Sequence, residues 1–332
     1  MVLTMSDTDR YIRQTPLIGE EGQIKLADSH VVVIGVGALG TVAAELLVRS
    51  GINHITLIDR DIVETSNLQR QSLYIEDDVL TSKVLCAKEK LLAINKDVKI
   101  EIHAVNLSKR NISDCVPKNV DLILDCCDTM SLRWLINDYT RKHKIPWIFA
   151  SAVGWQGMLQ LILPDSNCLA CNFPKEAQGE TCAEAGVMAM TSHTIASLQS
   201  NLALRFLVGE KIEEFCGTLF SLDLQSLDIR KFKVKKKENC GPCKKEFMLL
   251  ENEGDQEQIV RFCSSGQFQV HKTNSVDLNK LLMVVKKEFE FVHLDEVCLR
   301  FGPVTVFSDG RALIKSNSEA EAVSIYDKYV RN

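Results

Sequence analysis

The 332 residues lack any apolar run approaching the roughly 20 residues that a bilayer crossing requires. The opening MVLTMSDTDRYIRQ is charged within its first ten residues and has no apolar centre of the kind a secretory signal needs. A cytoplasmic location and no membrane partner are therefore expected. Positive charge is also short: 39 Lys and Arg stand against 44 Asp and Glu, a net charge of −5, so no basic face for nucleic acid is implied. Lys235, Lys236 and Lys237 form a local run that reads as a solvated strand end. Proline is scarce at 7, and there are no internal repeats or low-complexity segments. What remains is an ordinary globular composition, 45% hydrophobic and 25% charged, in a chain long enough for a large domain and a smaller one. Cysteine is not scarce. Twelve in a reducing compartment do not suggest disulfides, so their spacing matters more than their number.

HVVVIGVG (30–37) is an apolar, β-branched run ending in glycines, as a buried parallel strand would be. ALGTVAAELLVRSG (38–51) has apolar residues at helical spacing and closes on Gly51. HITLID (54–59), KIEIHAV (99–105), VDLILDC (120–126) and WIFASAVG (147–154) read as further strands, with helices at 82–95 and 131–144 between them. Strands alternating with helices in this way predict a doubly wound, mainly parallel Rossmann-like α/β sheet. GMLQLILP (157–164) suits an antiparallel extension, followed by a loop-like stretch to about residue 186, a long apolar helix at 187–208 and two strand-like stretches within 217–235. Residues 246–332 read as a separate small α+β module, with strands QIVRFC and QFQVH, helices DLNKLLMVVKKEF and SEAEAVSIYDKYV, and a hairpin turning at Asp309-Gly310. The expected division is 1–245 and 246–332.

Gly35, Gly37 and Gly40 form a GxGxxG between a strand and a helix. The first permits a tight turn, the second a close approach of backbone to phosphate, and the third close helix packing. Asp59, 24 positions beyond Gly35, suits a ribose hydroxyl. These residues alone serve NAD or ATP equally. The segment after Asp59 is what a plain dinucleotide site has no use for: Asn67, Arg70 and then Lys83 near the start of a helix. Cleavage of ATP between its α and β phosphates sends away a multiply charged pyrophosphate, and fixed Arg and Lys groups meet that charge. A hydride transfer releases nothing comparable. Asp128 lies just past a strand's carboxyl end, where one carboxylate suits magnesium. Taken singly, Arg70 reads as a surface arginine, Lys83 as a helix lysine and Asp128 as a helix cap. Spacing does not show that the three converge.

RYIRQ (10–14), GVGALG (35–40), LIDRD (57–61), SNLQRQ (66–71), SKV (82–84), LDCCD (124–128) and TCAEAGVMAM (181–190), with two CxxC pairs, together resemble the ThiF/MoeB/HesA superfamily, relatives of ubiquitin-activating enzymes, over residues 10–245. The resemblance implies an ATP-dependent adenylyltransferase that activates the C-terminal Gly-Gly carboxylate of a ubiquitin-like sulfur carrier as an acyl-adenylate. It implies that Asp59 holds the ribose, that Ser66, Asn67 and Arg70 surround the phosphates, that Lys83 stabilises developing charge and that Asp128 binds Mg2+. Ala38, Asp61, Gln69 and Thr129, on the same motifs, join the nucleotide site. Arg13 matches an arginine that reaches into a neighbouring subunit's site, so a homodimer is expected, and a sulfurtransferase is admitted as a further partner. Departures are Ala38 where the family usually has Gly, Cys127 and Thr129 flanking Asp128 where it has Thr and Asn, and Met190 where it often has Pro.

Cys168-Leu-Ala-Cys171 and Cys240-Gly-Pro-Cys243 supply four thiolates at spacings that suit a closed tetrahedral zinc site, stapling distant segments of one domain. Four unrelated thiols or a redox pair are the competing readings. Cys182, by resemblance, stands where members carry a cysteine used in thioester or persulfide chemistry. Cys126 and Cys127 read as core-lining and His193 as a packed helix histidine. Competing functions are an NAD-dependent oxidoreductase, which leaves Arg70 and Lys83 without a use, a tRNA-modifying dehydratase of the same superfamily, and a non-catalytic subunit that docks a partner.

Overall fold

The computed structural model describes residues 9–174, 185–212, 215–251, 258–262, 267–272 and 275–331, and the chain divides into two compact units, Met1–Asn252 and Glu253–Asn332. In the first, β1 (His30–Ile34), β2 (His54–Ile58), β3 (Lys99–His103), β4 (Leu122–Asp125) and β5 (Trp147–Val153) are parallel, in the order β3-β2-β1-β4-β5. Then β6 (Gln156–Ile162), β7 (Thr218–Asp223) and β8 (Asp228–Lys233) extend the sheet antiparallel. The Rossmann-like sheet with its antiparallel extension is thus as the sequence led us to expect.

Alternate side chains of β1 enter opposite cores. Val31 and Val33 face one that includes Leu57, Leu47 and Ile195, and Val32 and Ile34 face another that includes Ile123, Ile136 and Trp147. That is why β1 is apolar throughout instead of alternating: both faces of a doubly wound sheet are covered. The long helices of this unit are α1 (Thr15–Asp28), α2 (Gly40–Ser50), α3 (Lys83–Ile94), α4 (Met130–His143) and α5 (Ala189–Val208). α1 was not anticipated from sequence, and its conformation breaks at Gly19, φ 73°. α5 begins two residues later than its apolar pattern, with Met188 extended at the cap, and packs closely on β6. A Cβ on Gly157 would fall 2.3 Å from Ile195 Cδ1, so glycine is required where helix and strand meet.

The second unit is a six-stranded antiparallel sheet in the order β11-β12-β13-β14-β10-β9, from β9 (Gln258–Phe262), β10 (Gln267–His271), β11 (Val292–Leu294), β12 (Cys298–Phe301), β13 (Val304–Phe307) and β14 (Arg311–Lys315), with helices α6 (Leu278–Val285) and α7 (Glu319–Tyr329). The hairpin between β13 and β14 turns at Asp309-Gly310, with Gly310 at φ 83°. β11 and β12, of three and four residues, are too short to carry a period of their own and form by pairing with their neighbours. Among the described residues, no helix is long and apolar enough to cross a membrane.

β4 and β5 pair over just two positions, Ile123↔Trp147 and Leu124↔Ile148. Buried Gln199 from α5 closes the gap, donating to Asp125 O at 2.9 Å and Ile148 O at 3.0 Å. From α4, the Arg133 guanidinium pairs with the fully buried Asp125 (Nε–Oδ2 3.1 Å) and donates to the carbonyls of Cys127 and Ala150 at 2.6 and 2.9 Å. Burial pushes the Asp125 carboxyl up and the Arg133 charge pulls it back. Arg133→Ala would leave that carboxylate buried without its cation, and denaturant unfolding at neutral pH is expected to show a loss of about 3–5 kcal/mol. The deficit should narrow as the pH falls, because the orphaned carboxyl, its folded pKa raised above the unfolded one, then takes up a proton; a deficit independent of pH would contradict this account.

Candidate functional site

The strand order reverses beside β1: the chain moves out through β2 and β3, then crosses back to lay β4 on the other side. A crevice at the carboxyl ends of β1 and β4 follows, the usual ligand position in an open α/β sheet. The glycine turn and the Cys126–Thr129 loop line it. Gly35 has φ 92°, and a Cβ there would lie 2.6 Å from Cys126 O, while one on Gly40 would lie 1.9 Å from Gly35 O. Those two glycines are demanded by the fold itself. Gly37 is not, since its Cβ would meet nothing closer than Gln71 Nε2 at 3.7 Å. Its value is the open space above the backbone. No side chain caps the start of α2, and since Thr41 N–H already donates to Gly37 O at 3.0 Å, the N–H groups that can face an anion are those of the turn leading into the helix, Gly37 to Gly40. Ala38, half-buried in this turn, leaves the backbone N–H groups in place.

Four charged groups meet at the crevice. Lys83 Nζ lies 3.3 Å from Asp61 Oδ2, and the Lys83 side chain is only 8% exposed. Burial works against its ammonium, yet the charges of Asp61, Asp59 and Asp128 together outweigh it and raise its pKa. The Asp59 carboxylate accepts from Val36 N–H at 2.6 Å and Asp61 N–H at 2.8 Å, tying the end of β2 to the glycine turn. Burial pushes the Asp59 carboxyl above its ordinary value, with Lys83 pulling it back. Asp128 is exposed just beyond β4. It does not cap the following helix: Thr129 holds the N-cap position, without a side-chain bond.

The SNLQRQ segment begins in a single helical turn, Thr65–Asn67, and its side chains are spread. Asn67 is buried and accepts from Glu64 N–H at 3.1 Å, Ser66 is exposed and donates to Glu64 at 3.2 Å, and Gln69 is exposed. The Arg70 guanidinium donates to Ser66 O at 2.8 Å, so it points back along its own turn and is not drawn into the carboxylate cluster. Arg13 is exposed on a segment anchored at the far end of α2, where Gln14 Nε2 donates to Ser50 O at 2.8 Å. The length of α2, 11 residues or about 16 Å, separates it from its own glycine turn. Cys182 lies outside the described residues.

Sequence reasoning passed over three residues here. Tyr74 is buried, with its hydroxyl 2.8 Å from Val36 O and 3.1 Å from Lys83 O. Gln71 lies over Gly37, with Oε1 buried and unpartnered. Arg133 underlies the loop that carries Asp128. The first two sit in or just after SNLQRQ, which drew attention to the segment, Gln71 included, without giving either position a role. Arg133 falls within an ordinary helical pattern and gave no signal.

The Sγ atoms of Cys168, Cys171, Cys240 and Cys243 all lie within 4.8 Å of one another, with separations of 3.3, 3.5, 3.6 and 3.9 Å among them. A tetrahedron with metal–sulfur bonds of about 2.3 Å has edges of about 3.8 Å, so the cluster fits a four-thiolate metal site. Lys237 N–H donates to Cys171 Sγ at 3.4 Å and Arg141 to Cys243 Sγ at 3.1 Å, the kind of outer donors that stabilise thiolates. Cys126 and Cys127 are buried as expected, and His193 Nδ1 lies 2.7 Å from Ala189 O within its own helix.

The chain is similar to known proteins. The ThiF family pattern matches residues 9–242. A sulfur carrier protein ThiS adenylyltransferase of Bacillus subtilis is 34% identical over 97% of this chain and 99% of its own length, and one of Escherichia coli is 35% identical over 72% and 97%. A Xenopus laevis protein named adenylyltransferase and sulfurtransferase MOCS3 is 35% identical over 73% of this chain but 54% of its own length. Among solved structures, Escherichia coli MccB with ATP superposes with a TM-score of 0.63 at 24% identity, covering 71% of this chain and 74% of that one, a likeness of fold. With its glycine turn, its carboxylate-held lysine and a family match running from the N-terminal turn through the first cysteine of the second pair, the chain belongs to the ThiF family.

Proposed function

We propose that the protein is an ATP-dependent adenylyltransferase that activates the C-terminal Gly-Gly carboxylate of a ubiquitin-like sulfur carrier. A carboxylate oxygen attacks the α-phosphorus of ATP. One O–P bond forms, the bond from that phosphorus to the bridging oxygen breaks, and pyrophosphate leaves with the electron pair, so the product is an acyl-adenylate. The reading rests on Lys83, a nearly buried ammonium held beside the glycine turn by Asp61. The ThiS adenylyltransferase relatives supply the class of carrier. An NAD-dependent hydride transfer would leave this ammonium without a role.

In this reading the N–H groups of the glycine turn leading into α2 cradle the phosphates, and Lys83 neutralises charge that grows as pyrophosphate departs. Gln71 Oε1, buried without a partner, is assigned to a donor on the nucleotide. Asp59 serves the ribose and Asn67 and Ser66 the phosphates. Arg70 joins them by releasing Ser66 O when an anion offers a stronger partner. Asp128 is the residue that would hold Mg2+, whose chemistry is to screen the phosphate oxygens. Arg13, a helix length from its own crevice, is assigned to the crevice of a second copy in a homodimer. The four cysteines are assigned to structural zinc. Cys182 is kept as the thiol that takes up the activated acyl group or sulfur, with a sulfurtransferase as a separate partner. The adenylation chemistry is assigned to residues 1–245, and no activity to the C-terminal unit.

Carrier-dependent exchange of labelled pyrophosphate into ATP is the direct test. Exchange is expected with a carrier ending in Gly-Gly and none with the same carrier lacking the terminal glycine; Lys83→Ala should lower the rate roughly 10²-fold. Activity that survives Lys83→Ala undiminished would remove the central support. Metal analysis of the protein as purified should give one zinc per chain. Cys240→Ser should lose the metal and unfold at lower temperature, whereas an unchanged metal content would dismiss the four-thiolate site.

A further inference from the structure

Val36 and Lys83 are held by one closed set of hydrogen bonds. Val36 N–H donates to Asp59, whose other oxygen accepts from Asp61 N–H. The Asp61 carbonyl accepts from Lys83 N–H at 3.0 Å, and the Asp61 carboxylate meets the Lys83 ammonium. The circuit is completed at the Tyr74 hydroxyl, which faces both the Val36 and the Lys83 carbonyls. Backbone of the glycine turn and backbone of the lysine thus converge on a single phenolic oxygen. Tyr74 is itself 4% exposed and fixed from behind by its N–H to Gln71 O at 3.1 Å.

We infer that Tyr74 is a positioning residue for adenylation: it sets the distance between the phosphate-binding glycine turn and the Lys83 ammonium by tying Val36 O to Lys83 O. The inference rests on the adenylyltransferase reading and deepens it. Lys83 enters α3 as its first residue and Val36 stands between the first two glycines of the turn, so the two lie on separate elements. The Asp59–Asp61 side of the circuit fixes Val36 N–H and Lys83 N–H, while the single Tyr74 proton is shared between the carbonyls of the same two residues; removing the hydroxyl takes away the one direct link between those carbonyls. Burial, and then the negative charge of Asp59, push the phenol well above its ordinary pKa, so the hydroxyl remains a donor at every pH where the enzyme would work. Electrostatic stabilisation of a departing group is sharply sensitive to such placement.

Tyr74→Phe removes one oxygen and keeps the ring. Pyrophosphate exchange at saturating ATP and carrier is expected to fall about tenfold, while the KM for ATP and the melting temperature stay close to wild type. Tyr74→His, which retains a ring N–H donor, should recover part of the lost rate and also covers the case in which the phenylalanine variant folds poorly. An unchanged kcat in Tyr74→Phe, a loss explained by a lowered melting temperature, or a histidine variant no faster than the phenylalanine one would each overturn the inference. The wild-type measurement separates the two levels. No exchange in the wild type would sink the adenylation reading and this inference with it, whereas wild-type exchange matched by Tyr74→Phe would sink the inference alone.

Discussion

The Lys83 ammonium is nearly out of water, and a buried charge of that kind costs several kcal/mol unless opposite charge and hydrogen bonds compensate. Asp61 compensates by contact, and Asp59 and Asp128 compensate at longer range. The same carboxylates are put to structural use: Asp59 pins the glycine turn through Val36 N–H and reaches Asp61 N–H. The turn, the end of β2 and the start of α3 are therefore not three neighbouring features but one interlocked unit.

A second constraint operates below the crevice. The loop after β4 carries Asp128, yet β4 barely pairs with β5, and Gln199 and Arg133 supply the missing connections from helices on opposite faces of the sheet. The cost of burying Arg133 with Asp125 is met by a guanidinium whose donors also reach two carbonyls, so the loop's conformation and the ion pair stand or fall together. Farther along the sheet the antiparallel strands are joined by chemistry of another kind. The cysteine cluster links the chain after β6 to the chain after β8, closing the segment that contains α5 and β7.

Much of this was legible in the residues. HVVVI, HITLI and LILD announced strands buried on both faces, Gly51 closed its helix in the left-handed conformation, and Asp309-Gly310 announced its hairpin. The two CxxC pairs announced a cluster that the fold assembles from residues 72 positions apart. Other features left no local trace. α1 is broken at Gly19, β11 and β12 are too short to repeat, and Tyr74 and Arg133 are ordinary members of their segments until a distant carbonyl or carboxylate arrives. Arg70 was singled out by sequence for its charge, but the folded chain aims it at Ser66 O.

The sequence by itself determined the class of fold, the place of the phosphate turn and the set of thiols, because strand period, glycine conformation and ligand spacing are each set by residues within a few positions of one another. Only the tertiary structure decided which charges meet. Lys83 meets Asp61 and Asp59 at the end of β2, and feels the charge of Asp128 because β4 crosses back to the far side of β1, a choice made by the packing of two cores against one sheet. The same packing put Tyr74 between two carbonyls and kept Arg13 a helix length from its own crevice, since side-chain convergence depends on the order of strands and not on any pattern along the chain.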